Sequence, residues 1–299
     1  MNDVYGGFMN HASKYQNTLN KIMKWADANE LIDAVLLTGS RARSEAEQDE
    51  YSDLDIELIA EDVASLAEND SWINSICSPI TILRLEPSED QQWPTRLIIC
   101  DDGCKVDFTL ADHQRLEYMK SSGLDSIYSR GYQVLIDKVG ICDDLPNKTS
   151  SVFSEFPSEL HFRDCVSEFW FEAFHVPRYL ARGELWLVKQ RDWTMKELLL
   201  QMIEWHALAT SKCEIDTWHN GRSISNWASP DTTRAISSAF GRYEIDDSVR
   251  AFEATTSLYA RLAQEVALLL HFNYPHEIQA KIQKLCDEVL KKMAPQAIK

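Results

Sequence analysis

The sequence predicts an α+β protein, with a mixed β-sheet in an N-terminal domain, residues 1–150, and an α-helical bundle in a C-terminal domain, residues 151–299. Three observations carry this. The first half holds short apolar or alternating runs separated by polar or Pro-containing breaks, the texture of strands. The second half repeats its apolar residues at helical spacing. Between them, the stretch around Asp143 to Pro157 is polar and punctuated by proline, as a linker would be. At 299 residues, 44% of them hydrophobic, the chain is long enough to give each half its own core.

In chain order, a first helix is expected from about Ala12 to Asn29, with Leu19, Ile22, Met23 and Ala26 on one stripe. Strands are expected at residues 34–38, 52–60, 80–85, 96–100 and 106–110, with short helices near residues 63–68 and 111–120. Beyond the linker, Val166, Phe169, Trp170, Ala173 and Phe174 form one apolar stripe. Met195, Leu198, Leu199, Met202 and Ala209 form a second, and Leu258, Leu262, Val266 and Leu269 a third. A helix over about residues 275–293 closes the chain. There is no internal repeat and no low-complexity segment.

The formal charge of −17, from 47 acidic and 30 basic residues, argues against a long nucleic acid as partner, because that binding needs a basic stripe. It suits a cationic small molecule, although an acidic surface also serves solubility alone. No run of about 18 apolar residues is present, so no membrane span is expected. The start Met1-Asn2-Asp3-Val4 lacks the basic and apolar regions of a secretion signal, and the seven cysteines lack metal-ligand spacing. Both point to a cytoplasmic chain with reduced thiols.

The chemistry concentrates in the first half. Leu36-Leu37-Thr38-Gly39-Ser40-Arg41 reads as a strand ending in a Gly-Ser turn, and Tyr51-Ser52-Asp53-Leu54-Asp55-Ile56 as a second strand with two carboxylates on one face. In Lys105-Val106-Asp107-Phe108-Thr109-Leu110, the alternation puts Asp107 and Thr109 opposite the apolar side. Three aspartates can therefore meet at one end of a sheet. Convergent carboxylates suit Mg²⁺, which takes one or two of them together with substrate phosphate oxygens. Gly39 would let backbone approach phosphates closely, and Ser40 would add a hydroxyl donor.

In this order and spacing, Gly39-Ser40, Asp53-Leu54-Asp55 and Asp107 resemble the nucleotidyltransferase superfamily of DNA polymerase β type. The likeness extends to the aminoglycoside 6-adenylyltransferase family, through residues 105–110, Glu168-Phe169-Trp170, Arg182-Gly183-Glu184-Leu185-Trp186, residues 198–205 and His271-Phe272-Asn273-Tyr274-Pro275. The resemblance implies transfer of AMP from ATP to an aminoglycoside hydroxyl, streptomycin foremost, with release of pyrophosphate. It also implies a nucleotidyltransferase domain followed by a helical substrate-binding domain. By position, Asp53 and Asp55 would bind Mg²⁺, and Asp107 would serve as general base or as a further metal ligand. Gly39, Ser40, Arg41 and Lys189 would contact the nucleotide. Two departures stand out: Leu54 occupies a place that is aromatic in several members, and Gly221-Arg222 replaces an expected Gly-Lys.

Each assignment has a structural alternative. Arg41 and Arg43 could equally pair with Glu45 or Glu47, and Lys189 could lie on a solvated helix face. Glu168, Glu184 and Glu204 could hold guanidinium or ammonium groups, or sit in ordinary salt bridges. Trp170, Trp186 and Trp205 could stack on a substrate cation, or belong to the core. His206 and His271 read as packed or capping residues. The other functional readings are the same chemistry on a different small-molecule or protein acceptor, and a non-catalytic nucleotide-binding module. The presence of all three aspartates argues against the last.

Overall fold

A computed structural model describes residues 4–43, 49, 51–89, 91–148, 156–212 and 215–293, with side chains from residue 14 onward. The chain divides into two compact units, Met1–Val152 and Phe153–Lys299.

In the first unit, helix α1 (Val4–Ala28) leads into β1 (Ala34–Thr38), a single 3₁₀ turn (Ser40–Ala42), β2 (Leu54–Ile59) and α2 (Val63–Glu68). After these come β3 (Pro79–Leu85), β4 (Thr95–Cys100), β5 (Lys105–Ala111), α3 (His113–Ser122) and β6 (Gln133–Asp137). The sheet runs in the order β3-β4-β5-β2-β1-β6. Only β2 and β5 are parallel among these neighbours; the other pairs are antiparallel, so the sheet is mixed as expected.

The sheet is covered on both faces, which is why β1 is buried along its whole length. On one face Val35, Leu37, Leu54, Ile56 and Leu58 pack with Tyr15, Ile22 and Ala26 of α1. On the other, Ala34, Leu36, Ile59 and Ala111 pack with Leu116 and Met119 of α3 and with Tyr128. This second face also carries a buried charge: Glu57 of β2 accepts from Arg115 Nε at 2.5 Å, and Arg115 reaches Asp125 at 2.8 Å. Burial pushes the Glu57 carboxyl up against the opposing pull of Arg115.

The structure departs from the sequence reading in several places: α1 starts at Val4 rather than near Ala12, and α3 spans His113–Ser122 rather than about 111–120. Strand β2 starts at Leu54 rather than at Ser52, because the carbonyls of Ser52 and Asp53 accept from Arg41 instead of joining the ladder. Strand β6, on the edge beside β1, was not foreseen. Its residues Gln133 and Val134 are exposed and its other three only half-buried, so it carries no alternation.

The second unit is helical: α4 (Glu159–Ala181), α5 (Leu185–Ser211), α6 (Ile224–Trp227), α7 (Pro230–Ala239), α8 (Ile245–Leu270) and α9 (His276–Met293). Its core takes Phe162, Phe169 and Trp170 from α4, Met195, Leu199 and Met202 from α5, and Leu258, Tyr259 and Val266 from α8. Phe169 stacks on Tyr259 with ring centroids 3.5 Å apart and planes 2° from parallel. His271 caps α8 in the left-handed conformation, at φ 58°. His206 packs against Glu265 at 2.7 Å. Among the described residues no helix is long and apolar enough to cross a membrane.

Candidate active site

The antiparallel pairing of β1 with β2 sets Thr38 opposite Asp55, and the parallel pairing of β2 with β5 sets Asp55 opposite Asp107. One sheet end therefore gathers the turn after β1 and all three aspartates. Asp55 and Asp107 project from adjacent strands at the same register, and Asp53 sits one residue ahead of β2.

Gly39 makes the close approach possible. Its φ of 67° lies in the left-handed region, and a Cβ there would overlap Asp55 Oδ2. The Asp55 carboxylate thus rests directly on the turn's backbone. Ser40 follows as the buried first residue of the 3₁₀ turn.

The Arg41 guanidinium is held by backbone carbonyls and an aromatic ring. Its Nε donates to the carbonyls of Ser52 (3.0 Å) and Asp53 (3.1 Å), its Nη2 to those of Asp49 (3.2 Å) and Ser52 (2.9 Å), and its guanidinium lies 3.9 Å above the Tyr15 ring. It fastens the loop that presents Asp53. Its suggested alternative partners, Glu45 and Glu47, lie outside the described residues.

The sequence reading missed a functional side chain, Lys105. Its Nζ donates to Asp53 Oδ2 at 2.5 Å and to Asp107 Oδ2 at 2.8 Å. The signal was available: in a strand starting at Lys105, positions 105 and 107 share a face. Partial burial lowers the Lys105 pKa, but the hydrogen bonds and charges of Asp107 and Asp53 outweigh it and hold the ammonium above its usual value. The Asp55 carboxyl is raised by burial, then by the charges of Asp107 and Asp53, against the pull of Lys105 and Arg43. Burial also raises Asp107, with Lys105 opposing and Asp53 adding to the shift.

Asp107 Oδ1 is buried and has no hydrogen-bond partner. Such an atom calls for a ligand or a proton. Among the described residues no three His, Cys, Asp or Glu side chains form a ready-made metal cluster, and the Lys105 ammonium lies between Asp53 and Asp107. The donor set itself fits a hard dication. It consists of carboxylate oxygens only, one of them orphaned, beside a glycine that leaves room for Asp55.

The expected helical-unit residues divide sharply. Trp170, expected at a substrate, is 1% exposed within the core, and its indole Nε1 reaches Tyr274 Oη at 3.4 Å, so its rings are not offered to a cation. The Lys189 ammonium donates to the Gly241 carbonyl at 2.9 Å and ties α5 to the segment before α8. Glu168 and Glu184 are exposed. Glu204 differs: it lines a cavity of about 290 Å³ with Trp205, Leu208 and residues 217–220. Desolvation, the sole cause of its shift, raises its carboxyl to about 7.

A Gly-Ser turn lies against Asp55, with Asp53 one residue ahead of the strand and a third aspartate on the neighbouring parallel strand, which is the pattern whose resemblance to nucleotidyltransferases the sequence carries. The streptomycin adenylyltransferase family model matches residues 13–289, and the chain belongs to that family of enzymes. Among its relatives is an aminoglycoside 6-adenylyltransferase of Bacillus subtilis, 24% identical, with the match covering 87% of this chain and 92% of the relative. Proteins of the same description from Staphylococcus aureus and Campylobacter jejuni are 21% and 22% identical, over 86% and 85% of this chain and 92% and 88% of theirs. The crystal structure of the Bacillus subtilis aminoglycoside 6-adenyltransferase aligns over 92% of this chain and 97% of its own, at 20% identity and a TM-score of 0.44.

Proposed function

We propose that this enzyme transfers AMP from Mg-ATP to a hydroxyl of an aminoglycoside, with streptomycin the first candidate, and releases pyrophosphate. The observation that carries the chemistry is the pairing of Asp55 with Asp107 across parallel strands, against a glycine that admits no side chain. The acceptor class rests on the family and its aminoglycoside-modifying relatives.

In this reading the bond from the α-phosphorus to the pyrophosphate oxygen breaks as the acceptor oxygen bonds to phosphorus. Asp53, Asp55 and Asp107 are the residues that would hold magnesium. When bound, the metal supplies Lewis-acid stabilisation of charge on the phosphate oxygens. Asp107 takes the proton of the acceptor hydroxyl at Oδ1, and burial makes this carboxylate a stronger base than an exposed one. The turn at Gly39 and Ser40 would offer backbone N–H groups to the triphosphate beside the Asp55 carboxylate that Gly39 admits. Arg41 and Lys189, committed to backbone carbonyls, have no part in the proposal. Within the helical unit, Glu204 is the carboxylate suited to an ammonium or guanidinium nitrogen, because such a cation would relieve its desolvation.

The test is pyrophosphate release from Mg-ATP with streptomycin, beside other aminoglycosides and the variants Asp53→Asn and Asp107→Asn. Streptomycin-dependent release that falls by about 10²-fold or more in Asp107→Asn supports the reading. Release at the wild-type rate in Asp53→Asn sinks the site assignment. Release with no aminoglycoside on the panel, despite binding of Mg-ATP, moves the acceptor to another molecule.

A further inference from the structure

The Lys105 ammonium bridges carboxylates from two different elements, Asp53 ahead of β2 and Asp107 within β5. A divalent cation placed between the two aspartates on their Oδ2 atoms would take the position the ammonium holds. A single positive charge also leaves the cluster undercompensated. Lys105 hydrogen-bonds Asp53 and Asp107 and not Asp55, the third carboxylate of the cluster.

The ammonium is movable. Lys105 is the first residue of β5 and its side chain is 38% exposed, so its flexible stem can swing without breaking into a core. A lysine head is a point charge with no fixed fork, and it transfers readily from carboxylate to phosphate oxygens. Moving it into water alone would strip both carboxylates of their counter-ion. Moving it onto an anion would not.

We propose that Lys105 is a displaceable counter-ion, occupying the place of a divalent cation between Asp53 and Asp107 and leaving it when a nucleoside triphosphate brings both the metal and a new anionic partner. The proposal rests on the nucleotidyl-transfer reading for its ligand and on the two hydrogen bonds for its geometry. Metal alone must compete with the ammonium for the carboxylates. Metal arriving with nucleotide meets a lysine that has somewhere else to bind. The device makes metal binding conditional on nucleotide.

The experiment is titration with Mn²⁺, with free metal read by electron paramagnetic resonance, on the full chain with and without a non-transferable α,β-methylene ATP analogue. Wild type is expected to bind Mn²⁺ weakly alone and more tightly with the analogue. Lys105→Met, which keeps the stem and removes the charge, is expected to bind Mn²⁺ alone about tenfold more tightly or better, and to gain less from the analogue. Lys105→Arg keeps the charge and stays nearer wild type. The double variant Asp53→Asn/Lys105→Met loses the gain. Melting curves give a second readout: Mn²⁺ raises the melting temperature of Lys105→Met more than that of wild type. Equal or weaker metal affinity in Lys105→Met overturns the proposal, as does a gain that survives removal of Asp53. Failure of the analogue to bind wild type overturns the nucleotidyl-transfer reading instead, and the metal-only comparison still decides the role of the ammonium.

Discussion

Gly39 and Asp55 are in contact because one of them has no side chain, and this gives the sharpest expectation at the residue scale. In Gly39→Ala the new methyl must displace the Asp55 carboxylate, and the positive φ adds strain of about 1–3 kcal/mol. Turnover is expected to fall by about 10²-fold or more, through misplacement of Asp55, while circular dichroism shows the fold retained. Wild-type kcat in Gly39→Ala would mean that the Asp55 carboxylate does not rest on the turn during the reaction. At this scale the aspartates were legible in the sequence. Alternation marks Asp107 as off the apolar side of its strand, and the Gly-Ser turn marks the sheet end where it arrives. The roles of Arg41, Trp170 and Lys189 were not legible. Arginine on carbonyls and arginine on phosphate have the same sequence appearance, and the stripe containing Trp170 does not say which of its members meets a ligand.

Among elements, the segment between α2 and β3 is anchored by one buried ion pair. Arg96 of β4 is 1% exposed and donates from Nε to Asp70 Oδ1 at 2.8 Å and from Nη2 to the Ala67 carbonyl at 2.8 Å. Burial raises the Asp70 carboxyl, but the hydrogen bonds from Arg96 and Arg84 outweigh it and keep the group below its usual value. Asp70→Ala leaves Arg96 with the exposed Glu86 carboxylate, 3.2 Å from Nη1, as its charge partner and is expected to cost about 2–3 kcal/mol in urea unfolding, without altering residues at the sheet end. Helix α5 carries the opposite case. Glu204 titrates near 7 when folded, against an ordinary value of 4.5. The folded state therefore holds its proton more tightly. The stabilisation this gives is complete below pH 4.5 and is lost as pH rises toward 7. Glu204→Gln is expected to flatten that part of the stability curve and to melt higher than wild type at pH 8; unchanged curves would show a solvated carboxylate. Elements differed in legibility for local reasons. The heavily alternating β5 announced itself, β6 did not, and the short α7 was passed over although Ser229 caps its first turn and Pro230 opens it.

For the whole molecule, charge and domain division set the expectations. With a formal charge of −17, the protein should attract a cationic acceptor at long range, so kcat/KM for an aminoglycoside acceptor is expected to fall as salt rises from about 50 to about 300 mM (on the order of several-fold), more steeply than for an uncharged acceptor. Each unit also has its own buried core, one around the sheet and one around α4, α5 and α8. Residues 156–293 alone are expected to unfold cooperatively in urea, and a non-cooperative curve would show that this core is incomplete by itself. This division was legible because the hydrophobic period changes from two to nearly four across a polar segment. Part of that segment, residues 149–155, lies outside the described residues.

The clasp formed by Arg41 bears on which substitutions the protein can tolerate. One planar group reaches three carbonyls and sits over the Tyr15 ring, a combination that an ammonium of equal charge cannot copy. Position 41 is thus a place where the two common basic amino acids cease to be synonyms. A genetic screen for resistance to the acceptor drug should recover arginine there and reject lysine, although no atom of that side chain need ever touch the drug.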